Sequence, residues 1–592
     1  MKPIRYFEHK LCRNLPQFKK SPNPLMITML LKPTARALFF LLATTYLLFI
    51  SSGCNEEEKK APPPEVVIVQ PENTEEKITE TLQEFWNYAR QNEGRLNDTL
   101  QLYSVNLTGK VYEENKFHPA WSSQLSWLPI ADSLYYIIQH AKEYGLFPSD
   151  YHFSNLRNIR IQIEGDSVSR RNATLWSKAD LLFSDAYFTM AQHLKFGRLK
   201  RDSTTLRPDS AASDDFYWQQ FQQAVSGRTI ISSLNSLEPQ YNGYQQLKLS
   251  IRSFLDSVTL KPYTYLNYPS KDSLAFVKLL QQRLREGGFL TAELPVGDTG
   301  TFRSAITAYQ QSKGLKPTGR YSETLVRSLN NTDWEKFKRI AINLDRYKQL
   351  PDTLPSTFVL VNLPSFTFLL IDADTIALKS KVIVGNPKTR TPVLNSELVN
   401  FITYPQWTVP FSIIFKEMLP QIQKDTLYLT KQNLMVVDKN DSVVSASSVD
   451  WSKLNRKYFP YLLKQRQGDD NSLGVIKFNF RNKYDVYLHD TNARWLFSKS
   501  SRALSHGCVR LQQWEKLSRF LVRNDTLKFP SDTLKAWITR QEKHIVTGFP
   551  KVPIYIRYIT CEGIDGKVKF YDDIYGDDRA LAERYFANKP VE

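Results

Sequence analysis

Apolar residues change their spacing along this 592-residue chain. From Ile78 to about Asp256 they recur every three or four positions, as in Leu82, Phe85 and Trp86 and again in Leu181, Leu182, Phe188 and Met190, the repeat of a buried helix face. A second helical stretch runs from about Ser270 to Asn331. There Leu279, Leu280 and Leu284 give one face and Ala305, Ile306, Tyr309 and Gln310 another, punctuated by Gly314 and Gly319. Beyond it, Phe358 to Leu363, Phe366 to Ile371 and Leu378 to Val384 are β-branched or aromatic runs. Pro364, Asp372 to Asp374 and Gly385-Asn386-Pro387 break them, which predicts an antiparallel β-rich domain. Between about 412 and 470 the pattern weakens into Lys-, Gln- and Asp-containing segments, as in an insertion or lid. The segment from Lys483 to Asp490 then alternates, with Val486 and Leu488 on one strand face and Tyr487 and His489 on the other. Ser505-His506-Gly507-Cys508-Val509-Arg510 follows, ahead of a helical pattern at Trp514, Leu517, Phe520 and Leu521, so Cys508 is expected to precede a helix.

The fold class is therefore multidomain α+β. The expected divisions are a leader (1–54), a flexible linker (55–77), a helical domain (78–268), a small helical domain (270–331) and a helical linker (332–355). A β-rich domain (356–535, with the insertion at 412–470) and a C-terminal segment (536–592) complete the chain.

The leader changes the picture of where the chain works. Lys32 and Arg36 precede the apolar run Ala37 to Ile50, and Ser51-Ser52-Gly53-Cys54 follows. A basic flank, a short apolar run and small residues make a secretory signal, with one retained membrane helix as the alternative. Cys54 after Ser-Gly resembles a bacterial lipoprotein box, although Ser51 stands where Leu or Val is usual; the resemblance implies lipidation of Cys54. Either way the bulk of the chain is expected on the periplasmic side of the cell envelope, held to a membrane. The Pro- and Glu-rich stretch after Cys54 reads as a tether.

Composition is that of folded protein, with 42% hydrophobic and 23% charged residues. The formal charge of +18 suits an anionic partner such as a membrane surface or a cell-wall polymer. Nucleic acid is not expected, since zinc-finger spacing and a basic stripe interleaved with aromatics are both missing. His118, His140, His152 and His193 share no metal-ligand spacing, and no metal or organic cofactor is expected. Only four cysteines occur, Cys12, Cys54, Cys508 and Cys561, too few for a disulfide framework. A bridge between Cys508 and Cys561 stays open, and it would silence the thiol.

A free thiol has a pKa of about 8.5 and needs a base or a nearby cation to become nucleophilic. His489 is the candidate base for Cys508: it takes the thiol proton and later returns it to a leaving amine. Gly507 lets backbone N–H groups approach an oxyanion. A structural cysteine, or a zinc site of His489, His506 and Cys508, would also fit these residues.

The wider pattern resembles a known family. His489, a sixteen-residue step and Ser505-His506-Gly507-Cys508-Val509-Arg510 resemble the signature of the L,D-transpeptidase catalytic domain, also called the YkuD domain. Val361 to Pro364, Val384 to Pro387, Thr391-Pro392, Trp407 to Pro410 and Ser412-Ile413 look like its strand and turn blocks. Val552 to Tyr555 and Tyr571 to Gly576 resemble the C-terminal segment of its large YcbB-type members. Phe117 to Trp121, Tyr144 to Leu146 with Asp150 to His152, and Asp185 to Arg198 resemble their scaffold domain, and Leu280 to Thr324 the three-helix peptidoglycan-binding domain. The resemblance implies that Cys508 forms a thioester on a stem tetrapeptide, with His489 as acid and base, and that the acyl group passes to a neighbouring stem as a 3-3 cross-link. It implies loop-shaping roles for His506, Gly507 and Ser505, substrate contacts for Arg510, Tyr487 and Trp407, and peptidoglycan stem peptides and glycan strands as partners. An L,D-carboxypeptidase, a hydrolase of 3-3 links and a non-catalytic wall-binding lipoprotein are the alternatives.

Overall fold

The computed structural model describes residues 62–67, 74–199 and 213–590 apart from positions 296, 352, 526, 531, 587 and 588. The leader, Cys12, Cys54 and most of the linker lie outside the described residues. Among the described residues no helix is long and apolar enough to cross a membrane.

The first helical domain forms where the three- and four-residue repeat predicts it. Helix α1 (Thr74–Gln91) turns Ile78, Leu82, Phe85, Trp86 and Ala89 inward. Helix α2 (Ala173–Phe196) runs through the middle of the domain, which is why its sequence is apolar nearly all round. Its N-terminus is capped by the Asn172 side chain, which accepts from the Thr174 and Leu175 N–H groups. Polar groups that α2 brings inside are paired: Asp180 accepts from the backbone of Ala120 and Trp121, and Asp185 meets His152 Nε2 at 2.7 Å. Helix α3 (Asn242–Ser257) packs into a separate core, where Tyr244, Leu247 and Ile251 meet Phe337, Ile340 and Cys561.

The small domain is α4 (Ser273–Glu286), α5 (Thr299–Ser312) and α6 (Glu323–Asn330) around Phe276, Leu280, Leu284, Ile306, Tyr309 and Leu325. Leu279, expected on the buried face, is exposed; Phe276 takes the inward position one turn earlier. Gln310 is buried because its carbonyl accepts from the Thr318 and Gly319 N–H groups, pinning the α5–α6 turn.

The linker stretch forms α7 (Asp333–Tyr347), which is mostly buried. Its Asn343 carbonyl accepts from Thr560 N at 2.8 Å, and its Arg339 pairs with Asp578 at 3.2 Å. The helical and β regions therefore meet along α7.

The β-rich domain contains β1 (Thr357–Asn362), β2 (Thr367–Asp372), β3 (Thr375–Gly385) and β4 (Leu394–Thr403). The insertion and the residues just before it carry β5 (Trp407–Thr408), β6 (Leu434–Val437), β7 (Val443–Val444) and β8 (Leu462–Gln465). Then come β9 (Ile476–Phe480), β10 (Leu488–His489), β11 (Ala503–Ser505), β12 (Val509–Leu511) and helix α8 (Trp514–Leu521). The chain ends through β13 (Ile545–Val546), β14 (Val552–Arg557), the hairpin β15 (Cys561–Ile564) and β16 (Lys567–Phe570), and α9 (Asp577–Phe586).

The main sheet runs β9-β10-β12-β3-β2-β1-β14-β4, and β4 pairs back onto β9, so the sheet closes on itself. Closure removes free edges and surrounds one core of Val359, Phe368, Val382, Phe401, Phe478, Leu488, Val509 and Ile554. The sheet is mixed and not antiparallel as the sequence suggested: β10 with β12, β14 with β1, and β11 with β3 run parallel. Parallel neighbours need long crossovers, which strand runs alone do not reveal. The weakly patterned insertion is ordered. It forms its own antiparallel sheet, β5-β8-β6-β7, over a separate core that includes Val409, Ile414, Leu419, Trp451 and Leu463.

Candidate active site

Strand register assembles the site. Strand β10 lies parallel to β12 with Leu488 beside Val509 and His489 beside Arg510, so Tyr487 and Cys508 stand one step earlier on the same two chains. Leu488 and Val509 point into the core, which turns Tyr487, His489, Cys508 and Arg510 to the opposite face. On the other side of β10, antiparallel β9 places Lys477 opposite His489.

Cys508 is half-buried and free, and so is the deeply buried Cys561, so the two form no bridge. Cys561 belongs to a different core, among Tyr347, Ile559 and Phe586, and burial pushes its thiol far up. The Cys508 thiol lies 3.8 Å from the Asp485 carbonyl, toward which it donates. Burial raises its pKa; against burial act the Tyr487 N–H and hydroxyl, then Lys477 and Arg510. Burial, and next the Arg510 guanidinium, push the buried His489 imidazole down to about 3. The resting pair is a neutral thiol and a neutral imidazole.

The helix expected after Cys508 forms, but not close enough to act on the thiol. Cys508 enters β12, not a helix, and α8 begins only at Trp514. The helix dipole acts over about one turn, so it does not reach the sulfur. The cations Lys477 and Arg510 act on the thiol instead.

The loop ahead of the thiol is held by a relay of hydrogen bonds. Ser505 is buried; its hydroxyl donates to the Cys508 carbonyl at 2.6 Å and accepts from the Gly507 N–H at 3.1 Å. That bond occupies the Gly507 N–H, so this group is not a free oxyanion donor. Gly507 is required for another reason: its φ of +126° is one that side chains rarely adopt. Thr391 Oγ1 donates to the Gly507 carbonyl at 2.7 Å and accepts from Gly385 N at 2.8 Å. The Ser505 carbonyl accepts from Asn386 N and from Thr389 Oγ1 at 2.9 and 3.0 Å. The Tyr575 hydroxyl donates to the Gly385 carbonyl at 2.7 Å and accepts from Thr391 N at 3.1 Å. Gly385 has no room for a side chain, since a Cβ would lie 2.1 Å from the Thr389 carbonyl.

The insertion reaches the same loop. Glu417, in a short π-helical turn at Ile414–Met418, meets His506 Nε2 at 2.8 Å, with both side chains partly exposed. Trp407 of β5 is half-buried against the insertion core, and its side chain acts on the Tyr487 hydroxyl. Among the described residues no group of three or more His, Cys, Asp or Glu side chains is placed to hold a metal ion.

The residues quoted from the sequence motif thus converge on one place: Cys508, His489, Tyr487, Arg510, Ser505, Gly507, His506 and Trp407. Lys477 was missed, as were the supporting contacts of Thr391, Asn386, Tyr575 and Glu417. Lys477 had one local signal, the alternation of Ile476, Phe478 and Phe480 that turns it away from the core. The others come from remote segments and carry no local signal.

Residues 356–530 match the family model described as the L,D-transpeptidase catalytic domain. This stretch of the chain is thus similar to an L,D-transpeptidase catalytic domain. The chain also matches the scaffold domain over residues 106–250 and the "Putative peptidoglycan binding domain" over 273–329. A protein of Haemophilus influenzae named "Putative L,D-transpeptidase" is 34% identical over 247 residues, 41% of this chain. The match spans 49% of that relative, so the chain covers about half the length of the curated relative. Among solved structures, an L,D-transpeptidase from Stackebrandtia nassauensis is 13% identical, over 50% of this chain and 97% of that one, with a TM-score of 0.16. One from Mycobacterium smegmatis is 14% identical over 35% and 61%, also at 0.16. Scores this low carry no argument about the fold.

Proposed function

We propose that this chain is an envelope enzyme that cross-links peptidoglycan stems through a thioester on Cys508. The observation that supports it is the β10–β12 register, which brings His489 and Cys508 to one face inside a domain that matches the L,D-transpeptidase family. In the acylation step His489 takes the Cys508 proton while the sulfur bonds to the carbonyl carbon between the third and fourth stem residues. The proton then passes to the departing amine, which leaves as a free amino acid with its own carboxylate. In the second step the side-chain amine of a neighbouring stem attacks the thioester, His489 takes its proton, and the thiol is regenerated. The products are a 3-3 linked dimer and intact enzyme.

The small domain over 270–331 is read as the part that holds glycan strands, and the scaffold as its support. Export and attachment to a membrane rest on the leader and Cys54. The insertion, packed over the His506 loop through Glu417, is suited to keeping water from the thioester.

The test is incubation of the protein from residue 55 onward with tetrapeptide-bearing muropeptides, weighing the products. Dimers joined 3-3 are expected, with none from Cys508→Ala. Tripeptides alone would assign a hydrolase, and unchanged substrate with a folded protein would overturn the reading.

A further inference from the structure

Lys477 of β9, His489 of β10 and Arg510 of β12 are successive register partners across three strands. Register partners share a face, so the imidazole has a cation on each side. Neither cation has an ion-pair partner among the described residues. The Lys477 ammonium lies 4.0 Å over the Tyr487 ring. Arg510 is half-buried, and its Nε, like Nδ1 of the buried His489, is enclosed without a hydrogen bond.

The nearby carboxylates do not neutralise the row. Asp490 is buried on the opposite face, taken by Arg494 and by the Val475 N–H. Glu417 holds His506 on the insertion side. Asp485 is exposed and makes no ion pair with the row: its carboxylate acts on Lys477 only through space, and its main-chain carbonyl faces the thiol. Two partly desolvated cations without an ion-pair partner are costly, and the site gains most from an occupant that supplies one.

We propose that Lys477 and Arg510 form a clamp for a free carboxylate of the bound stem peptide, and that filling the clamp is what allows His489 to take the thiol proton. This rests on the transpeptidase reading and adds to it a requirement on substrate charge. With the clamp empty, a proton on His489 would make three adjacent positive charges; the depressed imidazole basicity reflects the Arg510 and Lys477 contributions after burial. A carboxylate between the cations cancels one of them and restores the base only when substrate is present. The proton moves from Sγ to the imidazole as sulfur bonds to the carbonyl carbon, and no other reagent is needed. Stem tetrapeptides offer a carboxylate on the terminal residue and one on the diamino acid, and the test separates them.

Wild-type enzyme is assayed on three synthetic tetrapeptide muropeptides: unmodified, amidated at the terminal carboxyl, and amidated at the diamino acid. A loss of tenfold or more in kcat/KM is expected for one of the amides, which names the carboxylate. Lys477→Met is expected to lower kcat/KM on the unmodified substrate by a similar factor, to lose the discrimination, and to move the acid limb of the pH profile. Lys477→Arg is expected to restore both. Equal rates on all three substrates, or a Lys477→Met enzyme that still discriminates, would overturn the clamp. If wild type turns over none of the three, affinities of Cys508→Ala for the same peptides still decide. A preference for the unmodified peptide then upholds the clamp while the transpeptidase reading fails, and equal affinities reject the clamp.

Discussion

Ser505 does more for the thiol than its place in the motif suggests. It donates to the Cys508 carbonyl and accepts from the Gly507 N–H, so one hydroxyl ties both ends of the turn that presents the sulfur. Ser505→Ala leaves two buried backbone groups unpaired, a cost of about 1–3 kcal/mol for each group. The expected outcome is a kcat loss of tenfold or more with a modest fall in melting temperature; unchanged kcat would remove Ser505 from the machinery. Cys561 sits at the other extreme. Buried and with its thiol pushed up, it should ignore a thiol reagent in the native protein. Protein from residue 55 onward should show one reactive thiol when folded and two when unfolded, with the native signal lost in Cys508→Ala. At this scale the sequence was readable where a motif packed its residues into a few positions. Lys477 was not, because one lysine in an alternating strand reads as a solvent-facing residue. Its meaning lies in a cross-strand register with His489 that local pattern does not encode.

Elements carry the next level. The turn after β3, with Asn386, Thr389 and Thr391, is the floor on which the Ser505–Cys508 loop rests, and Tyr575 from the C-terminal segment fastens that floor. A Cβ-branched residue without a hydroxyl tests the contact with little change in shape. Thr391→Val should lower kcat more than it raises KM, since it loosens the Gly507 carbonyl and spares the insertion and the cations; a KM effect alone would argue against the relay. Strand runs, the turn at Gly385-Asn386-Pro387 and the helical domains were legible because hydrophobic period reports directly on local structure. The parallel pairings and the closure of β4 on β9 were not, because they depend on contacts between distant segments. The insertion was legible only as weak patterning. Its strands are two to four residues long, too short for an alternating signal, yet they enclose a core of their own.

At the scale of the molecule, two histidines among the described residues tie stability to pH. His489 lies in the site, and His193 lies near the junction of α2 with α7, where its ring Nδ1 meets the Tyr151 hydroxyl at 2.8 Å. There Lys348 donates to the His193 carbonyl and pairs with Asp345, which also accepts from Arg198 and Leu199 N–H groups. Burial, then Arg198, Lys348 and Lys589, hold the His193 imidazole down at about 3, and His489 is held at about 3 as well. An unfolded histidine titrates near pH 6.5. Between about pH 6.5 and 3 the unfolded chain therefore binds up to two more protons than the folded chain at these positions. Their contribution to stability is complete above about pH 6.5 and is lost progressively as pH falls toward 3, at about 1.4 kcal/mol per pH unit for each proton. His193→Asn keeps a polar group for Tyr151 and removes one titration. Denaturant unfolding followed from pH 7 to pH 4.5 should show a slope shallower by about one proton in this variant than in wild type. Identical slopes would mean that His193 is protonated in the folded protein and that the α2–α7 junction admits the charge.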